Sequence, residues 1–450
     1  MEKTKNLKKE LGLIMATALV TGNMMGSGIF MLPATLASKS GPLATMIAWV
    51  LTGVGSLCLA LSFAKLGSKI PKTGGPYEYS KLAFGDFIGF INAWLYWNGS
   101  WIGNAAIITV IASYTATLIP IINNNHFVAF LYTSCILWIF TIINILGVKK
   151  AGMLQTCITI FELILFICFI GVAAYHFKPS LVGVLLPKGK GIETIPAAAA
   201  STLWAFIGFE TASVTAGEIR NPEKNVKRST IYGITIAIVM YMLISFFAMG
   251  AMSQKILSES TSPMADIMAQ FLGKGVSKLV LVGAIICVLG TTVGWLLTTA
   301  RMSYAAGKDK VFPEFFAKVH PKYNTPHVSL IISGVLCNVL LLMNYTKSLI
   351  AAFNFIILLA TLAYLPMYAF TAAAEIMLLV KTDKDFTLYK FIKNSFIPLI
   401  GFSYAVWAIY GSGSEAVMYG FILMLIGIPV YLYMKLKDYV KIKEFRNLEI

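Results

Sequence analysis

Long apolar blocks alternate with short polar connections along the whole chain. Each block is about 18 residues or longer, the length that an α-helix needs to cross roughly 30 Å of hydrocarbon. The pattern predicts an all-α integral membrane protein with twelve transmembrane helices. The predicted spans are residues 11–37, 41–65, 84–117, 126–147, 151–177, 194–217, 228–252, 276–300, 327–344, 348–380, 395–412 and 416–434.

Composition supports this fold class and adds an orientation. Hydrophobic residues make up 58% of the chain and charged residues 12%, whereas about a quarter of the residues in soluble domains are charged. If the N-terminus is cytoplasmic, 28 of the 36 Lys and Arg residues lie on the cytoplasmic side and 8 on the other. This bias predicts a multi-pass protein of the cell membrane with both termini in the cytoplasm. The net charge of +16 is then a signal of topology, and no nucleic-acid partner is expected.

The sequence lacks the residue patterns of a catalytic or cofactor-binding protein. Its four histidines and six cysteines form none of the spacings typical of a zinc site. It contains no glycine-rich lysine loop that would cradle nucleotide phosphates, and nothing resembles a nucleophile beside a base. We therefore expect no cofactor, no metal and no enzymatic activity.

The first span is interrupted near its middle by the stretch GNMMGSGIF, residues 22–30. Gly26 and Gly28 are poor helix formers, and Ser27 between them can hydrogen-bond its own backbone. A broken helix at this depth must face protein or a water-filled cavity. Its free N–H groups suit a carboxylate, and its free carbonyl groups suit an ammonium. The break therefore predicts a receptor for the zwitterion of an amino acid.

A second interruption lies in the sixth span, in the stretch LWAFIGFETASV, residues 203–214. Here Gly208 and the ionisable Glu210 fall in the middle of the predicted helix, about 180 residues after the first break. One glycine could serve close helix packing, but interruptions at matching positions of two halves favour a midplane binding site. The expected organisation is a first five-helix repeat over residues 1–190, a second, inverted repeat over 191–380, and two further helices with the C-terminus over 381–450.

Polar and aromatic residues in other spans are candidates for the same site. Tyr96, Ser100 and Asn104 in the third span are spaced i, i+4 and i+8, so they share one face of a helix. Trp204 and Trp295 lie in the middle of their spans, away from the interfaces where membrane tryptophans concentrate. Instead of binding a substrate, Ser100 and Asn104 could form hydrogen bonds between helices, and the two tryptophans could serve only in packing.

Two carboxyl groups fall at hydrocarbon depth, Glu210 and Glu162. A carboxylate there is costly unless it is neutral, paired or in contact with water. Glu210 is therefore a candidate for proton coupling, with hydrogen bonding of the broken helix as its structural alternative. The role of Glu162 stays open.

These segments together resemble the amino acid–polyamine–organocation transporter superfamily, and within it the basic amino acid/polyamine antiporters. That branch includes the arginine/agmatine and ornithine/putrescine exchangers. The resemblance implies a fold of twelve spans, in which two inverted five-helix repeats carry unwound first and sixth spans and two more spans follow. It extends over nearly the whole chain and is carried by GNMMGSGIFMLPATLAS, GGPYEYSKLAFG, LYWNGSWIGN, LWAFIGFETASV, NPEKNV, GWLL and GSGSEAVMYG.

The resemblance implies how a substrate would be held. Ser27 and Gly28 match positions that take its carboxylate. Met24 and Ile207 match positions whose carbonyl groups hold its α-ammonium. Trp295 matches the aromatic residue that packs on its aliphatic stem.

Further positions match side-chain recognition and gating. Asn104 matches a contact for the guanidinium of arginine. Tyr96, Trp204 and Glu210 match gating or proton-coupled positions, and Tyr77 matches a tyrosine of the cytoplasmic gate.

Departures from the family pattern bear on the substrate. Ala205 and Leu359 stand where the arginine exchanger has serine hydroxyls, although the ornithine exchanger resembles this chain at Ala205. Met367 replaces a tyrosine, and Lys227 replaces a proline. We expect the side-chain end of the site to be less polar than arginine prefers.

The leading hypothesis is an antiporter that exchanges cationic amino acids for related amino acids or amines by alternating access. The alternative is proton- or Na⁺-coupled uptake of neutral amino acids, for which Thr298 and Thr299 could help to coordinate Na⁺ unless they only bond their own helix. A transporter-like nutrient sensor, or a subunit that needs a single-span partner, is a third alternative. The expected partners are a small amino acid or amine and the lipid bilayer, with a homodimer as an open alternative to a monomer.

Overall fold

The computed structural model describes residues 7–182, 189, 191–346, 356, 360, 362–382 and 387–448. Helices dominate these residues, which contain no strand and a single isolated parallel bridge, between Leu11 and Ile219. The longer helices, with the short α9 of the sixth span, are α1 (Leu13–Met24), α2 (Leu32–Lys39), α3 (Pro42–Lys69), α4 (Pro76–Phe84), α5 (Asp86–Leu118), α6 (His126–Ile145), α7 (Val148–Tyr175), α8 (Ile195–Leu203), α9 (Thr211–Val214), α10 (Pro222–Ala251), α11 (Pro263–Leu272), α12 (Lys274–Lys308), α13 (His327–Tyr345), α14 (Tyr364–Thr382), α15 (Leu388–Gly411) and α16 (Ser414–Leu448). Short α-helical turns cover Ile121–Asn124, Pro179–Val182 and Gln254–Glu259, and 3₁₀ turns cover Ser27–Phe30, Ile192–Thr194, Trp204–Phe206, Ala216–Glu218 and Glu314–Ala317.

Within the described residues, 11 helical segments are long and apolar enough to cross a membrane. This confirms a multi-pass helical membrane protein. The first predicted span is not among the 11, because it is divided into α1, a 3₁₀ turn and α2. The start of the tenth predicted span, residues 348–355, lies outside the described residues, and its helix α14 is described from Tyr364.

Two polar connections contain more helix than the sequence indicated. Residues 66–83, between the second and third predicted spans, include the end of α3 and most of α4. The stretch EIRNPEKNVKR, residues 218–228, follows the sixth predicted span, and α10 begins within it at Pro222, before the predicted start of the seventh span at residue 228. Asn221 adopts a left-handed conformation with φ 47°, and Pro222 occupies the first turn, where a proline loses no hydrogen bond.

The helix α1 lies at the centre of the bundle, packed against α7, α10 and α12. Small residues allow this close approach. A Cβ built on Gly233 of α10 would lie 2.4 Å from Cγ1 of Val20. The middle of the interrupted first span, residues 18–26, is therefore buried among other helices, whereas Ile14 near the start of α1 is exposed.

The face of the bundle at which α1 begins is closed by buried polar contacts. Arg301 donates from Nε to Glu218 Oε2 at 2.7 Å and from Nη2 to Oε1 at 3.0 Å, and neither side chain is exposed. The backbone N–H groups of Glu10 and Leu11 donate to the Glu218 carbonyl, and the Arg220 N–H donates to the Leu11 carbonyl. The N-terminal segment is thus tied to the end of the sixth span. We call this side the N-terminal face.

Replacing Glu218 by Gln should destabilise the protein, because it leaves the Arg301 guanidinium buried beside an uncharged amide. Loss of one partner of a buried ion pair costs about 3–5 kcal/mol. The matched control is Asp86→Asn, which breaks a pair with Lys435 whose side chains are 41% and 42% exposed and should cost about 1 kcal/mol or less. Thermal unfolding of the detergent-purified variants measures both effects, and equal melting temperatures would contradict the prediction.

Candidate functional site

The two predicted helix breaks are present, and they touch each other. The helix α1 ends at Met24, and the chain passes through a 3₁₀ turn before α2 begins. In the sixth span, the 3₁₀ turn after α8 leads to an extended Ile207 and to Gly208 at φ 121°. A Cβ built on Gly208 would lie 2.9 Å from the carbonyl carbon of Asn23 and 3.0 Å from the Met24 nitrogen. Only glycine therefore fits where the breaks meet.

The breaks leave backbone groups without partners in the described part of the chain. The N–H groups of Gly26 and Gly28 donate no hydrogen bond there, and the Ile207 carbonyl accepts none. These donors and this acceptor belong to two neighbouring turns at the same depth. The arrangement offers separate positions for a negative and a positive group.

A cavity of about 540 Å³ adjoins both breaks. It extends from the breaks along α2 and α8, away from the N-terminal face. The residues that line it come from both interrupted spans, from α5 and α12, and from the start of α14 with the preceding Ala360: Asn23, Met24, Gly26, Gly28, Ile29, Met31, Leu32, Thr35, Gly99, Ser100, Ile102, Gly103, Ala106, Ile107, Ser201, Trp204, Ala205, Ile207, Thr291, Trp295, Ala360 and Tyr364.

Several residues predicted from the sequence share this cavity, and others lie outside its wall. Those that line it are Met24, Gly28, Ser100, Trp204, Ala205, Ile207 and Trp295. Those that do not line it are Tyr77, Tyr96, Asn104, Glu210, Thr298 and Thr299, and all of these are buried. Leu359 and the side chain of Ser27 lie outside the described part of the chain.

Trp295 and Tyr364 form an aromatic wall of the cavity, and Tyr96, which does not line it, packs against both. The rings of Tyr96 and Trp295 lie 6.3 Å apart, and Tyr364 packs edge-on against both, at 5.4 and 5.5 Å. The Tyr364 hydroxyl donates to Ser100 Oγ at 3.1 Å, and Ser100 donates to the Tyr96 carbonyl at 2.6 Å. This aromatic wall supplies π faces that can hold an aliphatic chain or a cation.

Glu210 supports the second break from behind that wall. Its Oε2 accepts hydrogen bonds from the Gly208 N–H at 3.0 Å and from the Tyr368 hydroxyl at 2.8 Å. Tyr96 faces the same carboxyl group, but neither the Tyr96 hydroxyl nor Glu210 Oε1 has a hydrogen-bond partner among the described residues. Glu210 is thus bonded to the broken helix and does not line the cavity.

The helix α12 supports the first break and contains the two threonines considered for Na⁺. The Trp295 indole donates from Nε1 to the Asn23 carbonyl at 3.1 Å. The Thr298 and Thr299 hydroxyls donate to carbonyls of their own helix, and Thr299 also accepts from Asn104 Nδ2 at 3.3 Å. Both hydroxyls are thus engaged in the helix. The described residues contain no group of three His, Cys, Asp or Glu that could hold a metal ion.

The sequence profile of the amino acid permease family matches residues 11–433. The chain belongs to this family. A putative arginine/ornithine antiporter of Bacillus subtilis is 32% identical to this permease, over 96% of this chain and 97% of its own. An arginine/agmatine antiporter of Chlamydia abortus is 31% identical over 94% and 90%, and a putrescine transporter of Haemophilus influenzae is 30% identical over 95% and 98%. The resemblance inferred from the motifs is thereby confirmed.

The N-terminal face of this permease is closed beneath the breaks. The Gly74 N–H donates to the Val214 carbonyl at 2.9 Å, and the Tyr77 hydroxyl donates to Asp309 Oδ2 at 2.9 Å. Lys81 also bonds to Asp309, and its ammonium lies 5.7 Å from the Tyr77 ring centre. Burial and the neighbouring Asp309 carboxylate raise the pKa of Tyr77 above its usual value, so the phenol stays protonated and keeps donating.

Sequence reasoning missed three tyrosines at this site, Tyr241, Tyr364 and Tyr368. Tyr364 and Tyr368 lie on either side of Met367, the position at which the resemblance expects a tyrosine. Because they are spaced i and i+4, Tyr364 and Tyr368 share one face of the helix, and this spacing could have indicated a polar face. Met367 itself is fully buried. Tyr241 has no such signal, because its partners are backbone carbonyls more than 30 residues away in sequence.

Replacing Gly208 by Ala should destabilise the permease. The new Cβ would require a left-handed backbone conformation and would also meet the backbone of the first break, which together cost about 1–3 kcal/mol or more. Gly28→Ala is the matched control, because no atom lies within 4 Å of its Cβ position. We expect a lower melting temperature for Gly208→Ala and a wild-type value for Gly28→Ala. Equal stability of the two variants would contradict the close contact of the breaks.

Proposed function

We propose that the permease is a secondary transporter that exchanges cationic amino acids for related amino acids or their decarboxylated amines. The observation that carries this proposal is the meeting of two broken helices, whose unpaired backbone groups face a shared cavity. The names of the relatives, which are arginine/ornithine, arginine/agmatine and putrescine transporters, support the cationic class.

In this proposal the substrate backbone is held by protein backbone. The carboxylate lies against the N–H groups of Gly26 and Gly28, beside Ser27, and the α-ammonium lies against the carbonyls of Met24 and Ile207. Charged groups bound in this way need no buried charged side chain, which would be costly at this depth.

The substrate side chain lies between aromatic surfaces. No acidic residue is found among the described residues that line the cavity. A cationic side chain would therefore rest on the faces of Trp204, Trp295 and Tyr364, where cation–π attraction replaces an ion pair. Asn104 and Leu359 remain proposed contacts for the far end of a longer substrate.

The proposed topology follows the family. Residues 1–190 and 191–380 form two inverted five-helix repeats, each with an interrupted helix, and residues 381–450 add the last two of twelve spans. Both termini lie in the cytoplasm, so the N-terminal face is the cytoplasmic gate and Tyr77 is part of it. The cavity then opens to the outside.

The absence of an acidic lining residue also favours a second candidate, ion-coupled uptake of neutral amino acids. Glu210 is the group that would carry the coupled proton. The internal hydrogen bonds of Thr298 and Thr299 favour a proton over Na⁺ in that candidate.

Exchange is tested with purified protein in liposomes. Liposomes preloaded with arginine, ornithine, agmatine or putrescine should take up labelled arginine or ornithine much faster than liposomes without internal substrate. Equal uptake into both would contradict antiport. Uptake of neutral amino acids that is driven by a pH gradient and is indifferent to preloading would favour the second candidate.

Replacing Glu210 by Gln should flatten the pH dependence of transport and leave substrate binding in place. The amide oxygen can still accept from Gly208 and Tyr368, but the side chain can no longer exchange a proton. Tyr96, Tyr364 and Tyr368 are the other titratable groups around it. The matched control is Glu375→Gln, because Glu375 is a buried carboxyl paired with Lys65 at 2.7 Å. An unchanged pH profile in Glu210→Gln would leave Glu210 with a structural role.

A further inference from the structure

Tyr241 of α10 lies directly behind the two helix breaks. Its side chain is fully buried and does not line the cavity. The ring is stacked on Trp49 at 5.1 Å and meets the edge of Phe206 at 5.5 Å. The packing fixes the ring, so its hydroxyl group has a defined position.

The Tyr241 hydroxyl donates to carbonyl groups of both interrupted spans. It lies 2.7 Å from the Met24 oxygen and 2.8 Å from the Ala205 oxygen. Met24 ends α1, and Ala205 lies in the 3₁₀ turn that follows α8. Both residues also line the cavity. One side chain outside the cavity thus connects the two backbone segments that form the proposed site.

The phenol has one hydrogen and faces two acceptors. It can satisfy one carbonyl group fully or share its hydrogen between the two. An ammonium group has three N–H donors and, at the proposed position, would reach the Met24 carbonyl from the cavity side. Its arrival would leave the hydroxyl free to bond Ala205 alone.

We propose that Tyr241 is a positioning residue that makes exchange obligatory. Before substrate binds, the hydroxyl ties the ends of the two broken helices together and opposes their relative movement. A bound ammonium takes over one of the two carbonyl groups and releases this tie, so that the loaded carrier reorients faster than the unloaded one. This inference rests on the proposed function.

The test compares Tyr241→Phe with wild type in the same reconstituted liposomes. The quantity measured is the exchange ratio, defined as labelled uptake into preloaded liposomes divided by uptake into liposomes without internal substrate. Removal of one buried hydrogen bond should lower this ratio about threefold to tenfold, because the unloaded carrier then reorients more easily. A variant that merely folds less well would lose both uptakes in proportion and keep the ratio.

The matched control is Tyr404→Phe. Tyr404 is also a largely buried tyrosine, and within the described part of the chain its hydroxyl has one hydrogen-bond partner, Ser56 at 3.2 Å, which belongs to neither break. Its exchange ratio should equal that of wild type.

A second variant keeps the test informative if Tyr241→Phe fails to fold. Replacement of Tyr241 by 4-aminophenylalanine keeps the ring and supplies two hydrogens, one for each carbonyl. We expect a ratio at or above the wild-type value. An unchanged ratio in Tyr241→Phe, or a ratio in the 4-aminophenylalanine protein as low as that expected for Tyr241→Phe, would overturn the inference. Wild-type protein that shows no stimulation by preloading would instead overturn the proposed function.

Discussion

Every backbone N–H and C=O group buried in a membrane protein needs a hydrogen-bond partner, because hydrocarbon offers none. In this permease the regular helical hydrogen bonding is interrupted at two places, after α1 and after α8. Side chains provide several of the missing partners. Tyr241 and Trp295, from neighbouring helices, bond both breaks and the first break respectively, and Glu210 bonds the second break from within the sixth span. The backbone groups that remain without partners among the described residues face the cavity. The proposed binding site therefore consists of N–H and C=O groups that the two breaks leave without a hydrogen bond.

The same constraint accounts for the difference between the two sides of the bundle. On the N-terminal face, the buried side chains of Arg301 and Glu218 are paired with each other. On the other side, the aromatic wall and the apolar lining leave recognition to the backbone and to π faces. Movement between two such arrangements would require the breaks to exchange partners in a concerted way, which is why a residue that bonds both breaks is well placed to control it.

Much of the fold and part of the site could be predicted from the sequence. The breaks were predictable because Gly26, Gly28 and Gly208 interrupt apolar runs at matching positions of the first and sixth spans. The helical start at Pro222 was missed because Asn-Pro in a charged stretch more often ends a helix. Tyr241 could not be predicted, because a lone tyrosine in an apolar span gives no periodic signal and its bonding partners are backbone atoms that only the fold brings near.

The most direct test of the account is a comparison of ligand affinities in purified protein. The parent ligand is arginine or ornithine, whichever binds more tightly. Its affinity is compared with that of its Nα-acetyl derivative, which lacks the α-ammonium, and with that of its methyl ester, which lacks the carboxylate. If the broken backbone grips both charged groups, each derivative should bind about tenfold or more weakly than the parent. A derivative that binds as tightly as the parent amino acid would contradict the account.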